Sequence, residues 1–150
     1  MVKTLITLNA VSTLLMTGVI WIVQIVHYPL FRLVGEQNFA EYQQLHSNYI
    51  TYVVMPLMLI ELITAAIMAA VPPKGMSQEL LWLGLALVIV IWGATFFFSV
   101  PQHAILSRGF NADAHNMLVS TNWIRTIAWS VRTGLVVYLV GQYFRMNGEW

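Results

Sequence analysis

Long apolar stretches separated by short polar breaks dominate this sequence. A helix needs about 20 mostly apolar residues to cross a bilayer. Four stretches satisfy that length: 4–33, 39–71, 80–106 and 116–144. The breaks contain proline, glycine and residues that cap helices. The pattern therefore predicts a polytopic all-α membrane protein, a single domain in which four transmembrane helices form an antiparallel bundle.

The polar breaks also predict where helices begin. Asn38 is followed three residues later by Glu41, which is the pattern of a capping box at the start of the second helix. Ser77 follows the proline-rich break at 72–75 and is expected to cap the third helix. Asn111 is expected to cap the fourth.

The two halves of the chain are weakly similar. A shift of about 74 residues places Gly35 on Gly109 and Asn48 on Asn122. Parallel duplications occur among membrane proteins. Chance, together with the features that all helical hairpins share, is the other explanation. Two repeated helical hairpins are therefore one of two interpretations.

Composition narrows the class of protein further. Hydrophobic residues make up 59% of the chain and charged residues 9%, whereas about a quarter of an ordinary soluble domain is charged. No basic run indicates nucleic acid. Cysteine is absent, which excludes disulfides, iron–sulfur clusters and thiol catalysis. The expected partner is a lipid bilayer, and a homo-oligomer is compatible with the sequence.

The basic residues outside the spans predict an orientation. Four spans place both termini on one side, together with Lys3, Lys74 and Arg145, while Arg32 and Arg108 lie on the other side. The positive-inside rule favours the first group in the cytoplasm. We therefore expect an inner-membrane protein with both termini cytoplasmic.

Six ionisable side chains lie inside the predicted spans. Charged groups are costly in hydrocarbon, so each is expected to face a packed interior, a wet cavity or an interface. A helix rises about 1.5 Å per residue, which allows the depth of each group to be counted from the turns. The six residues are His27, His46, Glu61, His103, Arg125 and Arg132.

Five polar residues form the predicted functional site. His27, His46 and His103 lie at a similar depth, within about 9–12 Å of the turns that face away from the termini. Asn122 and Arg125 lie slightly deeper. In this interpretation the histidines act as acid–base groups or metal ligands. Asn122 and Arg125 would stabilise negative charge that develops on an oxygen.

Two charged residues lie deeper, close to the middle of the membrane. Glu61 and Arg132 are at similar depths, so they are predicted to form a structural ion pair. Arg132 also shares a helical stripe with Asn122, Arg125 and Trp129, at the spacing i, i+3, i+7, i+10. That stripe is expected to face inward.

The residue types leave the cofactor open. Three histidines suit zinc, copper or iron, but no HxxxH, HxxE or ExxH spacing occurs within a helix, so a metal site would be assembled across helices. Histidines satisfied by hydrogen bonds or placed at the interface are the alternative. Haem between His27 or His46 and His103 is another option. Aromatic residues could line a quinone pocket or simply contact lipid: Trp92, Phe96, Phe97, Phe98, Trp123 and Trp129.

Three short motifs in the second half resemble those of a known family. They are Val100–Leu106 (VPQHAIL), 122–126 (NWIRT) and 129–133 (WSVRT). Together they resemble the anthrone oxygenase-like family of small four-helix membrane proteins. The resemblance covers about a third of the chain. It implies a four-helix fold and the oxidation of a flat aromatic or hydrophobic compound.

Three functional hypotheses follow. The first is a membrane-embedded redox or oxygenase-like enzyme that acts on a hydrophobic small molecule. The alternative is a non-enzymatic carrier or partner subunit, whose polar layer would be fully satisfied and would enclose no open cavity. The third is a proton or ion path through His46, Arg125, Glu61 and Arg132.

Overall fold

Four long helices make up the chain in the computed structural model, which describes residues 1–148. Helix α1 spans Val2–Leu33, α2 Glu36–Ala70, α3 Gln78–Leu106 and α4 Ala112–Met146. Each helix packs against two neighbours, in the ring order α1, α2, α3, α4. The prediction of an all-α chain with four helices is therefore confirmed. The end of the bundle with the α1–α2 and α3–α4 turns is called the outer end, and the end where α1 begins and α4 ends is called the inner end.

Three of the four helices are long and apolar enough to cross a membrane, namely α1, α2 and α3. Helix α4 is as long as α2, at 35 residues, but polar and charged residues are distributed along it. Many of them are buried in the bundle, including His115, Asn122, Arg125 and Arg132. Its low apolar content therefore reflects a polar face that is directed inward.

The cap predictions have different outcomes. Ser77 and Asn111 both cap helices: the Ser77 hydroxyl accepts the Leu80 N–H at 3.4 Å, and Asn111 Oδ1 accepts the Ala114 N–H at 2.8 Å. The predicted capping box at Asn38 is wrong. Helix α2 begins earlier, directly after Gly35, whose extended backbone leads straight into the helix without a side-chain cap.

Replacing Asn111 by alanine is expected to lower the free energy of unfolding by about 1 kcal/mol, because the cap satisfies a backbone N–H that otherwise has no helical partner. Ser77→Ala should cost less, since its cap bond is longer. Thermal unfolding in detergent, followed by circular dichroism, measures both. Asn116→Ala, at an exposed position in the same helix, is the control. Equal losses in the Asn111 and Asn116 variants would contradict the cap assignment.

Helices α1 and α3 each contain one π-helical turn, at Val23–His27 and Thr95–Ser99. In both, the N–H that follows the turn donates to a carbonyl five residues earlier. Each turn ends two residues before a proline, Pro29 or Pro101. Proline lacks an N–H and its ring collides with the carbonyl four residues earlier, so the wider turn relieves the clash. The two turns are 72 residues apart, as are the prolines, whereas the similar residues in the two halves are about 74 apart, so the two spacings differ by two residues and both interpretations of the repeat stay open.

Two apolar clusters fill the bundle. The inner cluster is built around Ile6, Met68 and Leu139. The outer cluster contains large buried side chains from all four helices: Met16, Phe31, Phe39, Met58, Ile91, Leu118 and Trp129. Polar side chains form two groups, one between these clusters and one within the outer half.

Candidate functional site

The deeper polar group is centred on Glu61, which is 1% exposed. Its Oε1 accepts from Arg132 Nε at 2.7 Å and from Thr13 Oγ1 at 2.8 Å. Its Oε2 accepts from Trp129 Nε1 at 3.0 Å. A buried carboxylate needs such donors to remain compatible with an apolar interior. Glu61 and Arg132 thus form a buried ion pair. Both carboxylate oxygens accept hydrogen bonds from side chains of this chain, as expected for a pair with a structural role.

Arg132 ties the same group to the remaining helices. Its Nη1 donates to the Gly84 carbonyl at 2.6 Å and its Nη2 to Asn9 Oδ1 at 3.3 Å. Asn9 Nδ2 in turn donates to Thr64 Oγ1 at 2.8 Å. A Cβ at position 84 would lie 3.0 Å from Nη1, so glycine allows the guanidinium to approach the backbone. All four helices contribute to this network, which we call the inner clamp. Asn9 and Thr13 belong to it without having been singled out from the sequence.

The outer polar group brings the three predicted histidines together. His27 Nε2 lies 2.8 Å from His46 Nδ1. The rings of His27 and His46 are 4.5 Å apart between centroids, and those of His46 and His103 are 5.6 Å apart. His103 Nε2 lies 3.0 Å from the Tyr28 hydroxyl, and its Nδ1 lies 2.6 Å from the amide of Gln43. The similar depths counted along the helices therefore correctly predicted that the three histidines form one layer.

The arrangement of these histidines does not support the predicted metal site. No group of three or more potential ligands is found among residues 1–148. Both nitrogens of His103 are within hydrogen-bond distance of Tyr28 and Gln43, and His27 and His46 bond each other. The imidazoles thus form a chain of neighbours. A metal site needs nitrogens that converge on a common point.

Arg125 is the charged residue of the outer group. It is 6% exposed. Its Nη1 donates to Ser99 Oγ at 2.9 Å, and its guanidinium carbon lies 5.5 Å from the centroid of the Trp129 ring. It also lies close enough to the Tyr28 hydroxyl for a side-chain interaction. Its Nε has no hydrogen-bond partner within residues 1–148. A buried cation without a counter-ion is costly, so the charge of Arg125 is incompletely compensated in the described structure.

A cavity of about 140 Å³ lies in front of Arg125. Its polar wall contains Tyr28, Ser99 and His103. The rest consists of Thr51, Thr95 and nine apolar side chains: Met16, Val19, Ile20, Val23, Ile50, Val54, Met55, Met58 and Val100. Met55 and Val100 are 39% and 50% exposed, so the cavity opens sideways between α2 and α3. The cavity is thus mainly apolar at its mouth, where Thr51 is also exposed, and polar at its end.

Asn122 lies apart from this cavity, contrary to its predicted role beside Arg125. Its Nδ2 donates to Gln24 Oε1 at 2.8 Å, and Gln24 Nε2 donates to the Val119 carbonyl at 3.2 Å. Asn122 is not among the residues from the described part of the chain that line the cavity. The reason is geometric: Asn122 faces Gln24 on α1, while Arg125 faces Ser99 on α3.

Two further residues belong to the outer group: Gln43, which the sequence pattern did not single out, and His115, whose expected position was wrong. Gln43 is buried and contacts His103. The sequence contains one indication of this role: Gln43 precedes His46 by three residues, which places both side chains on the same face of α2. His115 is close enough to the outer turn to be expected at the interface, yet it is 5% exposed and its Nε2 donates to the Tyr28 carbonyl at 2.8 Å.

The aromatic residues considered for a quinone pocket are dispersed. Phe97 is 78% exposed, and Phe96, Phe98 and Trp123 are also exposed. Trp129 is buried between Arg125 and Glu61. None of these residues lines the cavity within the described chain. Exposed aromatics on an apolar helix are typical of lipid contact.

The comparisons with known proteins give no relative: no family model, curated protein or solved structure matches this chain.

Proposed function

We propose that this chain is an integral membrane protein with four spans, and that its outer cavity binds a small, mainly apolar molecule through an oxygen atom. The observation that carries this proposal is the buried Arg125 guanidinium at the polar end of an otherwise aliphatic cavity. Because arginine stays charged in proteins, its partner must supply negative charge or a strongly polarised oxygen.

The fourth span is supported by the distribution of side chains on α4. The charged and amide side chains in its middle, Asn122, Arg125 and Arg132, face the bundle, whereas the exposed face of that part is mainly apolar and includes Ile127, Val131 and Val137. A soluble helix would show the opposite distribution. A lipid environment explains both the apolar exposed face and the polar buried face of α4, because polar groups within a membrane are directed toward the bundle interior.

The cavity limits the size and class of the bound molecule. A dry cavity of about 150 Å³ accommodates a benzene-sized molecule, so a single ring with one oxygen substituent fits the space. Longer substituents can extend through the opening between α2 and α3. Since that opening faces lipid, the molecule is expected to arrive from the bilayer.

The side chains around the oxygen position support proton transfer. Arg125 and Tyr28 can bind the oxygen, and His103, hydrogen-bonded to Tyr28, can accept a proton. The bound molecule would thereby become an anion opposite Arg125. The oxygenase-like activity implied by the family resemblance adds a second step, in which the anion transfers electrons to molecular oxygen or a quinone.

The alternative of a carrier or partner subunit predicts a satisfied polar layer without a cavity. The Arg125 guanidinium has no carboxylate partner within residues 1–148, and a cavity adjoins it. These features favour a site that receives a ligand. The proton-path hypothesis finds less support, because the buried apolar side chains of Met16 and Met58 line the cavity one helical turn from Thr13 and Glu61.

Blocking the cavity mouth tests the proposal. The probe is 4-nitrophenol, whose ionised form absorbs visible light, added to the detergent-purified protein near its own pKa. We expect saturable binding with an increase in phenolate absorbance. Thr51→Trp, at the exposed rim of the cavity, should abolish it, while Tyr52→Trp, exposed on the same helix, should not. Absence of binding to the wild type, or equal binding to both variants, would contradict the proposed site.

A further inference from the structure

We propose that His103, His46 and His27 form a proton relay that connects the oxygen-binding end of the cavity with the outer surface of the bundle. This inference rests on the proposed function, because the proton in question comes from the bound molecule. The three imidazoles lie in sequence along a line that begins at Tyr28, which lines the cavity, and ends at the half-buried His27.

The first step lies between the cavity and His103. The Tyr28 hydroxyl is 3.0 Å from His103 Nε2. When the O–H bond of the bound molecule breaks, its proton passes to the Tyr28 oxygen while the proton of Tyr28 passes to His103. The molecule is left as an anion opposite Arg125, so charge and protons balance without an oxidant. The amide of Gln43 can present its oxygen or its nitrogen to Nδ1 and so accommodates either tautomer of His103.

The second step crosses from His103 to His46. The His46 ring lies against both members of the Tyr28–His103 pair, with centroid distances of 6.4 Å and 5.6 Å. Its Nε2 is buried and has no partner within residues 1–148. Both nitrogens of His103 already have neighbours, so this transfer requires one of the two imidazoles to rotate and bring His46 Nε2 to a His103 nitrogen. His46 Nε2 is therefore the acceptor position of the relay.

The third step uses the bond between His46 and His27. Their nitrogens Nδ1 and Nε2 are 2.8 Å apart. A neutral imidazole donates at one nitrogen and accepts at the other. A proton that reaches Nε2 of His46 can therefore be released from its Nδ1 to His27. Each imidazole returns to its neutral form after one proton has passed.

The charges around the relay favour movement of the proton from His103 toward His27. Arg125 lines the same cavity as His103, and its fixed positive charge repels a proton at that end. Tyr28 and Tyr42 are the tyrosines packed against the imidazoles, the latter with its ring 6.5 Å from that of His27. His115 is separated from the relay by Phe31 and bonds the Tyr28 carbonyl.

Stopped-flow mixing of the detergent-purified protein with 4-nitrophenol tests the relay. Binding and ionisation of the probe are read separately, by equilibrium titration and by the rate of phenolate formation. In His46→Ala and His27→Ala we expect the titrated affinity to stay within about twofold and the ionisation rate to fall at least about tenfold. Imidazole added to the buffer should restore the rate, which a purely structural defect would not allow.

The matched control is His115→Gln, which removes a nearby imidazole but keeps a donor for the Tyr28 carbonyl. It should leave the ionisation rate unchanged. Unchanged rates in both relay variants with intact binding would overturn the relay and leave the binding site standing. No binding of the probe to the wild type would overturn the proposed function itself. If His46→Ala does not fold, the outermost variant, His27→Ala, decides the question alone.

Discussion

Replacing Glu61 by alanine is expected to reduce the free energy of unfolding by about 3–5 kcal/mol, the range found when one member of a buried ion pair is removed. The carboxylate accepts hydrogen bonds from Arg132, Thr13 and Trp129. Its loss leaves a buried guanidinium without a counter-charge and two further donors without acceptors. This is the largest loss of stability that we expect from a single substitution in this chain.

Reversible unfolding in mixed micelles measures the effect, with Glu41→Ala as control. Glu41 is on the same helix but exposed, so its replacement should change the free energy of unfolding by no more than about 0.5 kcal/mol. The double variant Glu61→Leu with Arg132→Met should recover much of the loss, because it replaces both charges by apolar groups of similar volume. A Glu61→Ala variant as stable as the Glu41→Ala variant would show that the inner clamp contributes little.

Replacing Arg125 by methionine is expected to weaken binding of 4-nitrophenol by about 10–100-fold. A hydrogen bond to a charged group contributes about 1.5–3 kcal/mol, and methionine removes both the charge and the donors while filling a similar space. Arg125→Lys should bind with intermediate affinity, since it keeps the charge but loses the planar group that can contact two acceptors.

The free energy of unfolding of the Arg125→Met variant should not fall, in contrast to that of the Glu61→Ala variant. Arg125 has no carboxylate partner in the described structure, so its removal relieves an uncompensated buried charge and costs mainly the bond to Ser99. We expect an unfolding free energy equal to that of the wild type or higher. Arg108→Met, at an exposed position, is the control for both measurements. Full binding by Arg125→Met would show that another residue holds the oxygen.

The depth of each polar residue could be predicted, because the rise of a helix is constant. Counting from the turns placed the three histidines in one layer and paired Glu61 with Arg132, and both groupings are present in the structure. Helix number and most of the boundaries follow from the same apolar pattern. These features depend on distance along the axis, which the sequence records directly.

The direction in which each side chain points could not be predicted to the same degree. A π-helical turn inserts one residue and so rotates all following side chains by about 100°. Tyr28 and His103 both follow such a turn, so the periodicity of the preceding helix does not indicate their faces. On α4, Asn122 and Arg125 share one stripe, yet they reach different neighbouring helices. Which of two adjacent helices a stripe contacts depends on packing between helices.

The alternating direction of the helices places the outer site at a defined end of the bundle. His27, His46 and His103 all lie near the outer turns, whereas the start of α1 and the end of α4 lie at the opposite end of the bundle, where Lys3 and Phe144 border the same groove. In the proposed reaction the ligand would arrive from the bilayer, whereas the proton would leave through the histidines at the outer end, so the two would follow different routes. The proton would be released on the face opposite the termini, so the proposed reaction would be vectorial, moving positive charge toward one side of the membrane.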